Sequence, residues 1–218
     1  MTSRNPTFFR PRRRTGAAIL ALSLLPLTAC TGEGTSPGAT TAPQTTSAAA
    51  TVTPVATPTP TPSYKPADAA GRAQNVPVPV LPEAAKAETK EGLEAFAKYW
   101  FSQLNFAYET GDSSGLASVT SANCRFCSNI TNSLTANYAS DRWLGGGRIE
   151  TPSISTTFQA DASGQQQVVV QVQQAKISYF EPGGAEFRQA TLPSDTGNVM
   201  LVSFKSGAWQ LVDLHPIR

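Results

Sequence analysis

Histidine is almost missing from this chain: its 218 residues include one, His215, three residues before the C-terminus. Cysteine occurs only at Cys30, Cys124 and Cys127. That supply is too thin for a cluster of His, Cys, Asp and Glu with metal-ligand spacing, and no glycine-rich phosphate cradle stands between a strand and a helix. Long apolar runs are missing too. The longest, "GAAILALSLLPL" at 16–27, has twelve residues, whereas a bilayer core of about 30 Å needs roughly 20. Lys and Arg never cluster beyond the first fourteen residues, so the electrostatic footprint of nucleic-acid binding is absent and nucleic acid is excluded as a partner.

What is present begins with an address. Arg4, Arg10, Arg12, Arg13 and Arg14 precede the short apolar run, with no acidic residue before Cys30. A basic stretch followed by a short apolar core is the pattern of an export signal. The run closes in "LTAC", Leu27 to Cys30, which resembles a bacterial lipobox. That resemblance implies a diacylglyceryl group on the Cys30 thiol, cleavage before it, and acylation (palmitate) of the new amine. "RRRTGAAIL" also resembles a twin-arginine signal, so the export route stays open. The full chain has 17 basic and 15 acidic residues. Removing residues 1–29 takes five of the basic ones, leaving 12 against 15, a net charge of −3. The basic balance belonged to the address.

Residues 30–77 read as a tether. Thr, Ser, Pro, Ala and Gly dominate, including "TPVATPTPTPS". With almost no large apolar side chain, such a stretch buries too little surface to offset its ordering entropy, and the Thr-Pro alternation favours extended polyproline II. Glycosylation of the tract stays open. Residues 78–218, about 140 of them, are a normal single-domain size.

Leu93, Phe96, Ala97, Trp100, Leu104 and Ala107 form one helical stripe, widened by Tyr99, Phe101, Phe106 and Tyr108. Thr89 suits its N-cap and Gly111 its left-handed end. Asp112 then caps a short helix through "SSGLASV". A third helix fits Cys124 to about Ser140, and "GGG" at 145–147 reads as a loop. Strands follow: "RIETPSISTTF", a turn at "DASG", then "QQQVVVQVQQAKISYF". Val168, Val170 and Val172 share a face, but Ile177 and Tyr179 take the opposite parity. A β-bulge between Gln173 and Lys176 accounts for that flip. "EPGG" turns into "AEFRQAT", "NVMLVSF" reads as a central strand, and Ser206-Gly207 makes a tight hairpin into "WQLVDL".

Helices first and antiparallel strands after are an α+β arrangement, here a bent sheet wrapped round a long helix. "EGLEAFAKYWFSQLNFAYETGD", "CRFC" and "GAWQLVDL" resemble a family of uncharacterised actinobacterial lipoproteins and, beyond it, the nuclear-transport-factor-2-like cone that SnoaL-like enzymes also have. The resemblance implies the cone, the membrane anchor and an extracytoplasmic location on the outer face of the cytoplasmic membrane. It brings no activity with it.

Cys124 and Cys127 lie between two helices, without the preceding strand of a thioredoxin-like centre. Zinc needs four ligands, and with Cys30 lipidated and one histidine the count fails. An extracytoplasmic disulfide remains, worth roughly 2 kcal/mol for a loop of about four residues. Trp100, Tyr108, Trp143 and Phe158 are candidates to line a pocket in the cone, with Asp213 as its carboxylate. Asp213 is expected on the face of Trp209 and Leu211, with His215 on the same side and Glu109 ending the long helix as a second acid. The reading is a non-catalytic binding or accessory module of the cell envelope, needing no cofactor or metal. Its expected partners are the membrane, and an envelope protein or small hydrophobic ligand. The alternatives are a SnoaL-like enzyme acting on a small hydrophobic molecule and an extracytoplasmic thiol-disulfide protein.

Overall fold

The structure, a computed structural model, describes residues 62–217. Three helices precede the strands. α1, Lys90–Thr110, starts where the Thr89 hydroxyl accepts the Gly92 N–H at 3.0 Å. It stops at Gly111, whose φ of 80° suits a residue without a Cβ. Between those caps the apolar stripe turns inward, and Leu93, Phe96, Ala97, Trp100, Leu104 and Ala107 are all buried. Phe101 and Gln103 are buried as well, so α1 is covered on more than one side, as its wide apolar face requires. The Asp112 carboxylate accepts the Ser114 N–H at 2.9 Å and opens α2, Ser114–Ser118. α3, Arg125–Tyr138, has Cys124 as its N-cap. Its last residue, Tyr138, donates its hydroxyl to the Tyr108 carbonyl at 2.7 Å, tying α3 to α1.

The strands form two antiparallel sheets. β2 (Ile149–Ser155), β3 (Gln166–Gln174), β5 (Ser194–Lys205) and β6 (Ala208–Pro216) pair in the order β2-β3-β5-β6. β1 (Trp143–Gly146) and β4 (Ile177–Phe180) pair separately. β5 is central, and the β5–β6 hairpin turns at Ser206 and Gly207, both at positive φ. Helices packed on this bent antiparallel sheet give the α+β architecture expected from the sequence. Trp100, Phe96, Leu93 and Leu116 from the helices meet Val168, Val170, Met200, Val202 and Leu211 from the sheet.

The parity flip after Gln173 has a different cause from the bulge expected there. β3 ends at Gln174, and the chain leaves the large sheet at Ala175–Lys176 to become β4 of the small one. Opposite this corner, Gly146 and Gly147 have φ of 77° and 74°, and a Cβ on Gly146 would lie 2.4 Å from the Lys176 carbonyl oxygen. Glycine lets β1 and β2 turn the same corner beside β3 and β4, so Gly145 and Gly146 belong to a strand and not to the expected loop. The "AEFRQAT" stretch makes only isolated pairings, Glu186 with Phe180 and Thr191 with Ile177.

The folded unit also starts earlier than the expected boundary at residue 78. Residues 62–82 form an arm that opens with a narrow hairpin, Lys65 paired with Gln74 and Asp68 with Gly71. Its backbone carbonyls hold it down: Asp68 O accepts the Trp143 indole N–H at 2.8 Å, and Pro79 O accepts the Gln103 amide at 3.3 Å. Composition could not report this, because every residue carries a carbonyl whatever its side chain. The remaining tether, residues 30–61, and the signal, residues 1–29, lie outside the described residues, as does Cys30.

Candidate functional site

Along β3 the inward residues run Val168, Val170, Val172, Gln174. Opposite them on β5 stand Met200, Asn198, Thr196 and Ser194 in the same register. The inner face of the sheet therefore changes from apolar at the centre to polar at one end. Where it does so, the helices draw away and leave a pocket of about 170 Å³. Phe101, Leu104 and Tyr108 of α1 form one wall and Phe126 and Ile130 of α3 another. Ile149, Val172 and Leu214 make the sheet side, and Gln174, Ser194, Thr196 and Asn198 the rim. Asn198 is buried and donates its amide to the Thr196 carbonyl at 3.3 Å and to the Thr196 hydroxyl at 3.2 Å. Burial pushes the Tyr108 hydroxyl up from its ordinary pKa. It is uncharged at neutral pH. The pocket offers an apolar floor and a ring of uncharged amides and hydroxyls, which suits holding a compact molecule by one polar end.

Of the five pocket candidates read from the sequence, only Tyr108 lines this pocket. Trp100 is fully buried behind it, its indole donating to the Thr120 hydroxyl at 2.8 Å. Trp143 is closed under the arm and packs on Phe180, ring centroids 5.8 Å apart. Phe158 packs edge-on against Trp209 at 6.5 Å, away from the mouth. Asp213 was expected on the face of Trp209 and Leu211, and it is not there. Val202 pairs with Leu211 but Leu201 with Asp213, so Val212 is an extra residue in β6. That bulge inverts the parity beyond it: Leu214 turns inward, and Asp213 turns out to meet His215 at 3.2 Å. Its other oxygen accepts the Leu214 N–H at 2.9 Å. Glu109, the second acid, accepts the Tyr64 hydroxyl at 2.7 Å. The rim residues Gln174, Thr196 and Asn198 escaped sequence reasoning. The signal that finds them is a polar side chain on the inward parity of a buried strand.

Cys124 and Cys127 are bonded to each other, with Cα atoms 5.3 Å apart, and both are buried. The Cys124 sulfur accepts the Cys127 N–H at 3.2 Å, so the bridge also caps α3. A second hollow, of about 190 Å³, lies beside Cys127 between α2 and α3. Among the described residues no three His, Cys, Asp or Glu side chains gather as a metal site, and no helix is long and apolar enough to cross a membrane.

A family model described as "Family of unknown function (DUF6318)" matches residues 62–215, beginning where the arm begins. No curated protein matches the chain. Several solved structures are similar, three of them as follows. The intermembrane space region of the chloroplast protein ARC6 shares 11% identity over 59% of this chain and 96% of its own, with a TM-score of 0.42. A protein with a cystatin-like fold from Caulobacter vibrioides shares 16% over 56% and 87%, at 0.36. Aln2 from a Streptomyces species shares 12% over 58% and 90%, at 0.38.

Proposed function

The chain belongs to the DUF6318 family of unknown function, and we propose that it is a lipid-anchored extracytoplasmic module that binds in the cell envelope without catalysis. Cys30 carries the anchor, on the outer face of the cytoplasmic membrane, and the mouth pocket is the binding site within the domain. One observation carries the non-catalytic part. The two carboxylates best placed by pattern for proton transfer are both engaged outside the pocket, Asp213 with His215 and Glu109 with Tyr64. The groups that do line the pocket are amides, hydroxyls and a phenol whose burial keeps it protonated. Such groups hold a ligand but do not exchange protons readily near pH 7. The small hydrophobic ligand is the occupant that the apolar floor supports. An envelope protein contacting the outer surface is the other partner in this reading.

The SnoaL-like enzyme is the second reading; it would use the same pocket, with Tyr108 as its one titratable group. The thiol-disulfide reading has against it that neither sulfur is exposed. The anchor is tested by Cys30→Ala expressed in an actinobacterial host. Release from the membrane fraction, or an uncut precursor, is expected; unchanged detergent partitioning without an acyl mass on the N-terminus refutes it. The binding role is tested by crosslinking in cells and by native mass spectrometry of the extracted protein. Chemical conversion of a captured ligand by the wild type, lost in Tyr108→Phe, would establish the enzyme instead.

A further inference from the structure

The end of the sheet where the mouth pocket opens carries a further hollow on its other face, of about 520 Å³. The pairing register accounts for both. Its last rungs cross Ile149, Gln174 and Ser194 on the inner face, and Glu150, Gln173 and Asp195 on the outer face. Gln174 and Ser194 line both hollows, so the two meet at the rim of the sheet. The mouth pocket, at about 170 Å³, is smaller than the roughly 300–1,000 Å³ of small-molecule sites. Taken with the outer hollow it falls within that range. The inner part is floored by apolar side chains and the outer part is polar.

The outer hollow brings donors and acceptors side by side. Asp195 accepts the Gln173 amide at 2.9 Å and the Gln171 amide at 3.0 and 3.1 Å. Those bonds, Gln173 first, hold its carboxyl below the usual pKa. An ionised carboxylate only accepts, so Gln173 turns its N–H to Asp195 and keeps its carbonyl oxygen for a ligand. Next to them the Arg148 guanidinium stands 3.8 Å from the Glu150 carboxylate, and both side chains are exposed. Glu150 and Asp195 repel an anionic head. An ammonium only donates and leaves Arg148 unmatched, whereas hydroxyls donate and accept and so meet both kinds of group. With the mouth pocket as the binding site, a reading on which this rests, we propose that the two hollows form one site for an amphiphile. A compact apolar group enters the mouth pocket, and an uncharged, hydroxyl-rich head of the sugar type lies in the outer hollow. Arg148 donates to that head, and Glu150, Asp195 and the Gln173 carbonyl accept from it.

NMR titration of the mature chain, residues 30–218 with Cys30→Ser to keep it unlipidated, tests this with three probes that share one apolar chain: hexyl β-D-glucoside, hexan-1-ol and hexylammonium. The glucoside is expected to shift Ile130 and Val172 in the mouth pocket together with Gln173 and Asp195 outside it, and hexan-1-ol only the first pair. The glucoside is also expected to bind about tenfold tighter than hexan-1-ol, the gain of one or two net hydrogen bonds. In Asp195→Ala, at an exposed position, and in Gln173→Ala that ratio should fall toward one, and the Ile130 and Val172 resonances of each free variant check its fold. A ratio near one in the wild type, or one that neither substitution moves, overturns the amphiphile and leaves the mouth pocket as a site for apolar molecules. Glucoside shifts confined to one hollow overturn the single site, and hexylammonium binding as tightly as the glucoside overturns the hydroxylated head. Binding of none of the probes overturns the pocket reading and the amphiphile together.

Discussion

Asn105, in the C-terminal half of α1, is the most exacting test of how the helix holds the sheet. β2 is an edge strand, and at Ile149 the two backbone groups that a further strand would engage are taken by one side-chain amide. Asn105 donates to the Ile149 carbonyl at 2.8 Å and accepts the Ile149 N–H at 2.7 Å. Ile149 is buried and lines the mouth pocket. Asn105→Ala removes two hydrogen bonds, each worth about 1 kcal/mol net, and leaves a donor and an acceptor with little access to water. The expected loss is about 2 to 4 kcal/mol, the upper value applying if the groups stay dry. In urea the midpoint should fall with the slope unchanged, and Tm should drop by about 2–4 °C per kcal/mol. Asn105→Asp sharpens the test. An ionised carboxylate faces the Ile149 carbonyl oxygen and repels it, whereas the protonated acid can donate there and still accept the N–H. Folding therefore raises the pKa of the introduced carboxyl above its unfolded value of about 3.9. Its contribution is complete below that value and is lost as pH rises through the folded pKa. The deficit relative to wild type should grow above about pH 4, by about 1.4 kcal/mol for every tenfold weakening of the acid on folding. A cost for Asn105→Ala under about 0.5 kcal/mol, or an Asn105→Asp deficit flat from about pH 4 to 7, refutes the argument that this amide closes the sheet edge.

Two more outcomes follow from the helix ends. Replacing Cys124 and Cys127 together by Ala should cost roughly 2 kcal/mol from the short-loop entropy, plus the cap that the Cys124 sulfur provides. Denaturation with and without reductant measures it, and equal stability in both refutes it. Asp112 is exposed, and its bonds to Ser114 hold its carboxyl below the usual pKa. Its contribution is thus present above about pH 3.9 and fades as pH falls through the lower folded value. Solvent screening and its position keep Asp112→Ala to at most about 1 kcal/mol at pH 7. In acid titrations of stability, that difference from wild type should shrink toward about pH 2.

Short-range spacing was enough for the elements whose logic is local. The α1 stripe, its Thr89 and Gly111 caps and the Ser206-Gly207 hairpin depend on residues within one or two turns of each other, so the sequence by itself determined them. Three other features came only from the tertiary structure. One extra residue at Val212 sends Asp213 to the outer face, and a pattern of period two cannot register an insertion whose partner lies across the strand pair. The corner at Ala175–Lys176 depends on two left-handed glycines far earlier in the chain, Gly146 and Gly147. The arm at 62–82 is held largely by its own carbonyls, which are the same in every residue and so leave no trace in composition. The mouth pocket brings together Tyr108, Gln174 and Asn198, from three elements far apart in sequence. Their parity was legible one strand at a time, but their convergence required the sheet to bend around α1.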